Sequence, residues 1–178
     1  LTTHIVKPAK PGLRESVMNE AFCMALAGRF GLATAATHVI HGRVSVLAVA
    51  RLDRTLDKSP ATLNMEDFCQ ALGYPPNRKY EREGGPRLAE IADLLRQVSI
   101  RPGVDLRALL RWVIYTFLIG FGAGHGKQLA LLHESCGPCL APFYGLWSTH
   151  VYGEMNYRMG FRIGHEDRPD WLTPQRWH

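Results

Sequence analysis

The sequence predicts an α+β fold in two unequal parts, and three observations carry the prediction. Before residue 55, short β-branched runs flank one helically periodic segment. From residue 53 to 63 the chain turns polar and breaker-containing. Beyond that stretch the apolar spacing is mainly helical. Residues 1–55 and 56–178 are the two parts expected, the second mainly helical.

Taken in order, Thr3 to Val6 reads as a strand, stopped by the Pro8, Pro11 and Gly12 break. Val17, Met18, Ala21, Phe22, Ala25 and Leu26 recur at helical spacing and stop before Gly31, which suits the left-handed residue that ends a helix. His38 to His41 and Val44 to Leu52, joined at Gly42, predict a hairpin. Asn64, with Asp67 three residues on, resembles a capping box opening a short helix that carries Phe68 and Leu72 and ends at Gly73. A loop spans 74–86. Leu88, Ile91, Leu95 and Val98 make one helical stripe, and Asp105 is placed to cap a longer helix carrying Leu109, Leu110, Val113, Ile114, Phe117 and Leu118. Strand-like runs follow at Leu129–Leu132, Leu140–Tyr144 and Met159–Ile163, the first two joined by a turn at Ser135–Pro138.

At 178 residues and 46% hydrophobic content, the chain can bury a core without a metal or disulfide staple. A net charge of +5 suits an anionic partner, but the basic residues form no run of five. The longest apolar run, Trp112 to Gly124, is too short to cross a bilayer. With four cysteines and no secretory leader pattern, a cytoplasmic setting is expected. The opening Leu1, directly in strand-like sequence, reads as part of something longer.

Cys136-Gly137-Pro138-Cys139 is similar to a dithiol redox motif, whose first cysteine needs a helix N-terminus to lower its pKa. Here it lies between two strand-like runs, so a Gly-Pro turn carrying two thiols is the first reading and a small thiol oxidoreductase the alternative. His133, Cys136 and Cys139 supply three zinc-type ligands but no second pair.

Several segments together resemble the HipA family of bacterial serine/threonine kinases, the toxins of toxin-antitoxin pairs. They are TTHIVKP at 2–8, NEAFCMALA at 19–27, EDFCQALG at 66–73, KYEREGGP at 79–86, LIG at 118–120, HGK at 125–127, APFY at 141–144 and IGHEDRPDW at 163–171, in the family's order across almost the whole chain. The resemblance implies a two-lobed, protein-kinase-like fold with an incomplete N-terminal lobe. It also implies ATP and magnesium as cofactors, phosphorylation of a protein serine, and a helix-turn-helix antitoxin of the HipB kind as partner. Substrates of relatives include aminoacyl-tRNA synthetases; neither direct nucleic-acid contact nor a membrane is expected, and the setting is the bacterial cytoplasm.

On this resemblance Lys7 contacts ATP phosphates, Glu20 pairs with it, and Arg51 and Leu52 lie in the adenine-side hinge. That hinge reads Ala50-Arg51-Leu52-Asp53-Arg54 where relatives resemble glutamate-arginine-phenylalanine-aspartate-arginine. The family's catalytic loop resembles asparagine-x-aspartate-x-histidine-x-lysine-asparagine, the aspartate accepting the substrate's proton and the last asparagine holding magnesium. Here it reads Phe121-Gly122-Ala123-Gly124-His125-Gly126-Lys127-Gln128. His125 and Lys127 match, Ala123 stands at the base and Gln128 at the metal ligand. The second metal-ligand aspartate of the family is Gly145 here, after Tyr144. A catalytically impaired kinase, retaining binding alone, is the function expected.

Overall fold

The protein is described by a computed structural model covering residues 2–54, 62–153, 155 and 157–177. The boundary expected at 55/56 and the opening Leu1 lie outside the described residues.

The first sheet is built from β1 (His4–Pro8), β2 (Thr37–Ile40) and β3 (Val46–Ala50), with helix α1 (Ser16–Arg29) between β1 and β2 in the chain. Its order is β1-β3-β2, antiparallel throughout, so β3 is central and Leu47, Ala48 and Val49 are buried. The register sets Ile5 opposite Val49 and Lys7 opposite Leu47. Paired and alternate residues share a face, which puts Ile5, Lys7, Leu47 and Val49 on one side of the sheet.

The buried face of α1 is not the one its apolar residues suggest. Ser16, Val17, Glu20, Cys23, Met24 and Ala27 are buried, while Met18, Phe22 and Leu26 are exposed, Phe22 by 67%. Both sets recur at helical spacing, and the inward one carries the carboxylate of Glu20. A hydrophobic count therefore selects the wrong stripe.

Asn64 does not cap a helix. Asn64–Asp67 is strand β4, and Asp67 caps the single turn α2 (Phe68–Ala71): its side chain accepts from Gln70 N at 3.0 Å, and Gln70 Oε1 accepts from Asp67 N at 3.0 Å. β4 pairs with β5 (Ala130–Glu134), which pairs with β6 (Gly137–Leu140), giving a second antiparallel sheet in the order β4-β5-β6. The strand expected at Leu140–Tyr144 is thus displaced toward the turn. Met159–Ile163 forms no strand, only an isolated bridge between Ile163 and Glu166.

Helix α3 (Leu88–Val98) buries Ile91 and Leu95 as its stripe requires. Helix α4 (Pro102–Leu118) starts three residues before Asp105, with Pro102 at a position whose missing N–H costs nothing. Asp105 is therefore no cap. It is buried and ties the α3–α4 junction to β6, accepting from Ser99 Oγ at 2.7 Å and Leu140 N at 2.8 Å. Leu110 and Leu118 face outward, and Trp112 and Tyr115 take the inward positions beside Leu109. One apolar core joins α1 and β3 (Val17, Met24, Leu47) to α3, α4 and the segment after β6 (Ile91, Trp112, Leu146). Residues 33–35 seal the join: Phe143 N donates to Ala33 O at 2.8 Å and Ala35 N to Phe143 O at 2.9 Å.

Candidate functional site

β1 delivers Lys7 to the inner face of the first sheet, and α1 brings Glu20 up beneath it. Their charged groups meet at 2.5 Å, with the Glu20 side chain only 4% exposed. Lys10, from the loop after β1, approaches the other oxygen of the same carboxylate at 3.5 Å. A buried carboxylate must be paired to remain charged, and two ammonium groups meet that requirement.

This cluster forms one wall of a cavity of about 430 Å³. Arg51, Leu52 and Asp53 line its hinge edge, and Gln128, Gly145 and Trp147 line it beside the lysines. The volume lies in the range of small-molecule sites. Six sequence-predicted positions thus meet at one place: Lys7, Glu20, Arg51, Leu52, Gln128 and Gly145. Ala123, His125 and Lys127 are not among the lining residues. Lys10 and Trp147 are, and no motif or periodicity pointed to them; Asp53, which lies in the hinge segment, lines it too.

At the hinge edge Asp53 is gripped by two arginines. Arg51 forms a two-point pair with it at 3.0 and 2.7 Å, and Arg54 Nη1 lies 2.6 Å from its Oδ2. The hydrogen bonds from Arg51 hold the Asp53 carboxyl below its ordinary pKa.

Lys127 turns away to Asp67, Nζ to Oδ2 at 2.6 Å, which raises the lysine's pKa. His125 is buried, its ring edge-on to Tyr80 at 4.7 Å, and its Nδ1 accepts from Lys127 N at 3.3 Å. Burial, reinforced by Lys79, lowers its pKa to about 4. It is neutral near pH 7. Between pH 6.5 and 4 the unfolded chain holds the proton on this residue and the folded chain does not, so His125 stability present above pH 6.5 is lost as pH falls through about 4. The loss should approach ~3 kcal/mol relative to His125→Asn, which keeps an acceptor near Nδ1. Urea unfolding of both proteins at pH 7 and pH 4 measures it; parallel losses would show that another group carries the effect.

Magnesium, which the resemblance implies, does not fit the residues lining the cavity. The ion needs hard oxygen ligands, at least one of them charged. Among the described residues the lining carboxylates are Glu20 and Asp53, and both are committed to cations. Gln128 Oε1 is buried without a hydrogen-bond partner, and a Cβ added to Gly145 would lie 3.1 Å from it. A neutral carbonyl oxygen and a glycine face Lys7 where a cation would need carboxylate.

The hairpin reading of Cys136–Cys139 agrees with the structure: both thiols are free, Cys136 is exposed and Cys139 buried, and no helix starts at either. Burial raises the Cys139 pKa. His133 and Cys139 cannot face one ion. Cys139 pairs across the sheet with Leu132, so His133 lies on the opposite face, with Nε2 2.7 Å from Glu66.

A lysine held on a sheet face by a helix carboxylate, over a cavity edged by residues 51–53, is a kinase-like arrangement. A family model, the HipA-like C-terminal domain, matches residues 1–177, and the chain belongs to that family. The Sinorhizobium fredii protein Y4mE, which carries a provisional kinase name, is 41% identical over 167 residues, 92% of this chain and 40% of its own length. The serine/threonine-protein kinase toxin HipA of Shewanella oneidensis is 29% identical over 184 residues, 95% of this chain and 42% of its own. The solved structure of Shewanella oneidensis HipA with HipB and operator DNA matches with a TM-score of 0.89 and 27% identity, covering 98% of this chain and 44% of that one. The two-lobed, kinase-like α+β expectation is borne out. The chain spans about two fifths of the length of these relatives. The expectation of no nucleic-acid contact is not borne out, because the matched complex contains operator DNA. Among the described residues, no helix is long and apolar enough to cross a membrane.

Proposed function

We propose that this chain is the nucleotide-holding part of a HipA-type serine/threonine kinase whose phosphoryl-transfer step has been lost, leaving binding as its role. The observation that carries the reading is the Lys7–Glu20 pair at a cavity that Gln128 and Gly145 also line, with a Gly145 Cβ position 3.8 Å from Lys7 Nζ. The cation that grips phosphate is kept, and the carboxylates that would complete the chemistry are not. Ala123, at the position of the family's base, cannot accept a proton. Loss of a general base alone costs about 10²- to 10⁴-fold in rate. In this reading the partner is an antitoxin of the HipB kind, with operator DNA within reach of the same assembly, the ancestral substrate is a protein serine, and the setting is the bacterial cytoplasm.

The test pairs two measurements on one preparation. ATP should raise the thermal unfolding midpoint, because a ligand that binds only the folded state stabilises it. Transfer of the γ-phosphate to the protein itself, or to a substrate of a relative, should stay at the level of the protein-free control. Transfer that disappears in Lys7→Ala would show the site to be active and overturn the reading.

A further inference from the structure

The cavity keeps its anion-binding cations and lacks a place for the divalent ion that ordinarily accompanies a nucleotide. We infer that Lys10 supplies the missing positive charge, and that the site binds a polyphosphate anion, such as a nucleoside triphosphate, without divalent metal. The inference rests on the binding role proposed above and adds to it a residue and a ligand form.

Lys10 is a built position. Its backbone N–H donates to Ser16 Oγ at 2.7 Å, and Ser16 is buried at the start of α1. Its carbonyl accepts from Leu13 N at 3.1 Å, closing the turn. Its ammonium stands 4.2 Å from the centroid of the Trp147 ring, and Trp147 is buried. An ammonium over an indole face is attracted to it, and here the ring sets where the charge points. The Glu20 oxygen at 3.5 Å completes the cradle. The two side chains are exposed to a similar degree, 35% for Lys7 and 39% for Lys10. Both line the cavity, so neither ammonium is sealed from a ligand.

The charge balance of the lining favours a bare anion. Among the described residues, Lys7, Lys10 and Arg51 oppose Glu20 and Asp53, a net charge of 3 − 2 = +1. Glu20 is shared by two lysines, so its one negative charge leaves an excess positive charge at the phosphate end. Gln128 Oε1, unpartnered and buried 3.1 Å from a Gly145 Cβ position, is suited to accept from a hydroxyl or a water of the ligand shell. Nothing there rewards a cation that arrives with the phosphates, and a magnesium complex brings less negative charge for the lysines to meet.

The experiment is calorimetric titration of the full chain with ATP in excess EDTA, with ATP and excess magnesium, and with inorganic tripolyphosphate in EDTA. The expected result is binding in EDTA at least as tight as in magnesium. Lys10→Met should weaken EDTA binding roughly tenfold, as removal of one charge-assisted contact does. Lys10→Arg should recover most of it, and Lys10→Met should flatten the salt dependence, which a purely structural role would not do. Tripolyphosphate binding would place recognition in the phosphates. ATP binding that requires magnesium, or that Lys10→Met leaves within about twofold, overturns the inference and leaves the binding role standing. Absence of ATP binding under both conditions overturns the binding role itself, and the inference with it. The magnesium comparison uses the natural chain, so it decides even if a variant fails to fold.

Discussion

Ala123→Asp, Gln128→Asn and Gly145→Asp, introduced together, are expected to raise γ-phosphate transfer at least about 10²-fold above the unreverted protein, while each alone leaves it near background. The suitable vehicle is a chimera in which a relative supplies the remainder of its chain, since this one spans about two fifths of such proteins. Base and metal ligands act on one step, so the gain is far from additive. The structure adds a steric reason. Gly145 has φ of 65°, where a side chain other than asparagine or aspartate is strained, and a Cβ there would lie 3.1 Å from Gln128 Oε1. Aspartate tolerates the backbone but would set a carboxylate beside an unpartnered carbonyl oxygen. Gln128→Asn shortens the side chain by one methylene and withdraws that oxygen. Gly145→Asp should therefore destabilise more in the natural protein than in one already carrying Gln128→Asn, with a coupling of about 1 kcal/mol from a double-mutant cycle in urea. Additive stabilities would remove the steric account, and full activity from Gly145→Asp alone would remove the chemical one.

These contacts also show what the residue string could and could not convey. Lys7 and Glu20 are legible as a pair only through the family resemblance; periodicity alone puts Phe22, not Glu20, on the buried face of α1, because two helical stripes overlap there. Lys10 sits in Pro8-Ala9-Lys10-Pro11-Gly12, a stretch with no period to read. Its role as a wall of the cavity depends on Trp147, more than a hundred residues later. β4 is hidden for a similar reason. Asn64-Met65-Glu66-Asp67 is poor in β-formers, and it is a strand because β5 pairs with it, Asn64 facing His133. Helices α3 and α4 are visible because their stripes are local, and even so the inward face of α4 differs from the expected one: Trp112 and Tyr115 outrank Leu110 and Leu118 once a bulky core is available. The features that sequence reading misses are the ones long-range pairing decides.

Asp105 illustrates the same point with a large energetic consequence, and Asp105→Ala is expected to destabilise the fold by about 3–5 kcal/mol, the size seen when one partner of a buried charged contact is removed. At sequence level it looks like an exposed cap worth about 1 kcal/mol. In the fold it is 2% exposed and accepts three hydrogen bonds, from Ser99 Oγ at 2.7 Å, Leu140 N at 2.8 Å and Arg101 Nε at 3.2 Å. Truncation leaves the Leu140 N–H buried in the protein interior with no acceptor, and a buried unsatisfied donor bears its full desolvation cost. It also opens space where the α3–α4 junction meets β6. A domain of this size has a total stability of about 5–15 kcal/mol, so the loss removes a large share of it. Asp105→Asn keeps one carbonyl for Leu140 N–H and should lose less, the difference reflecting the charge-assisted bonds from Ser99 and Arg101. Urea unfolding at neutral pH gives both numbers, with an unchanged slope required for the comparison to hold. A midpoint for Asp105→Ala equivalent to a loss of about 1 kcal/mol would mean that water replaces the carboxylate, and that this junction is held by its apolar contacts instead.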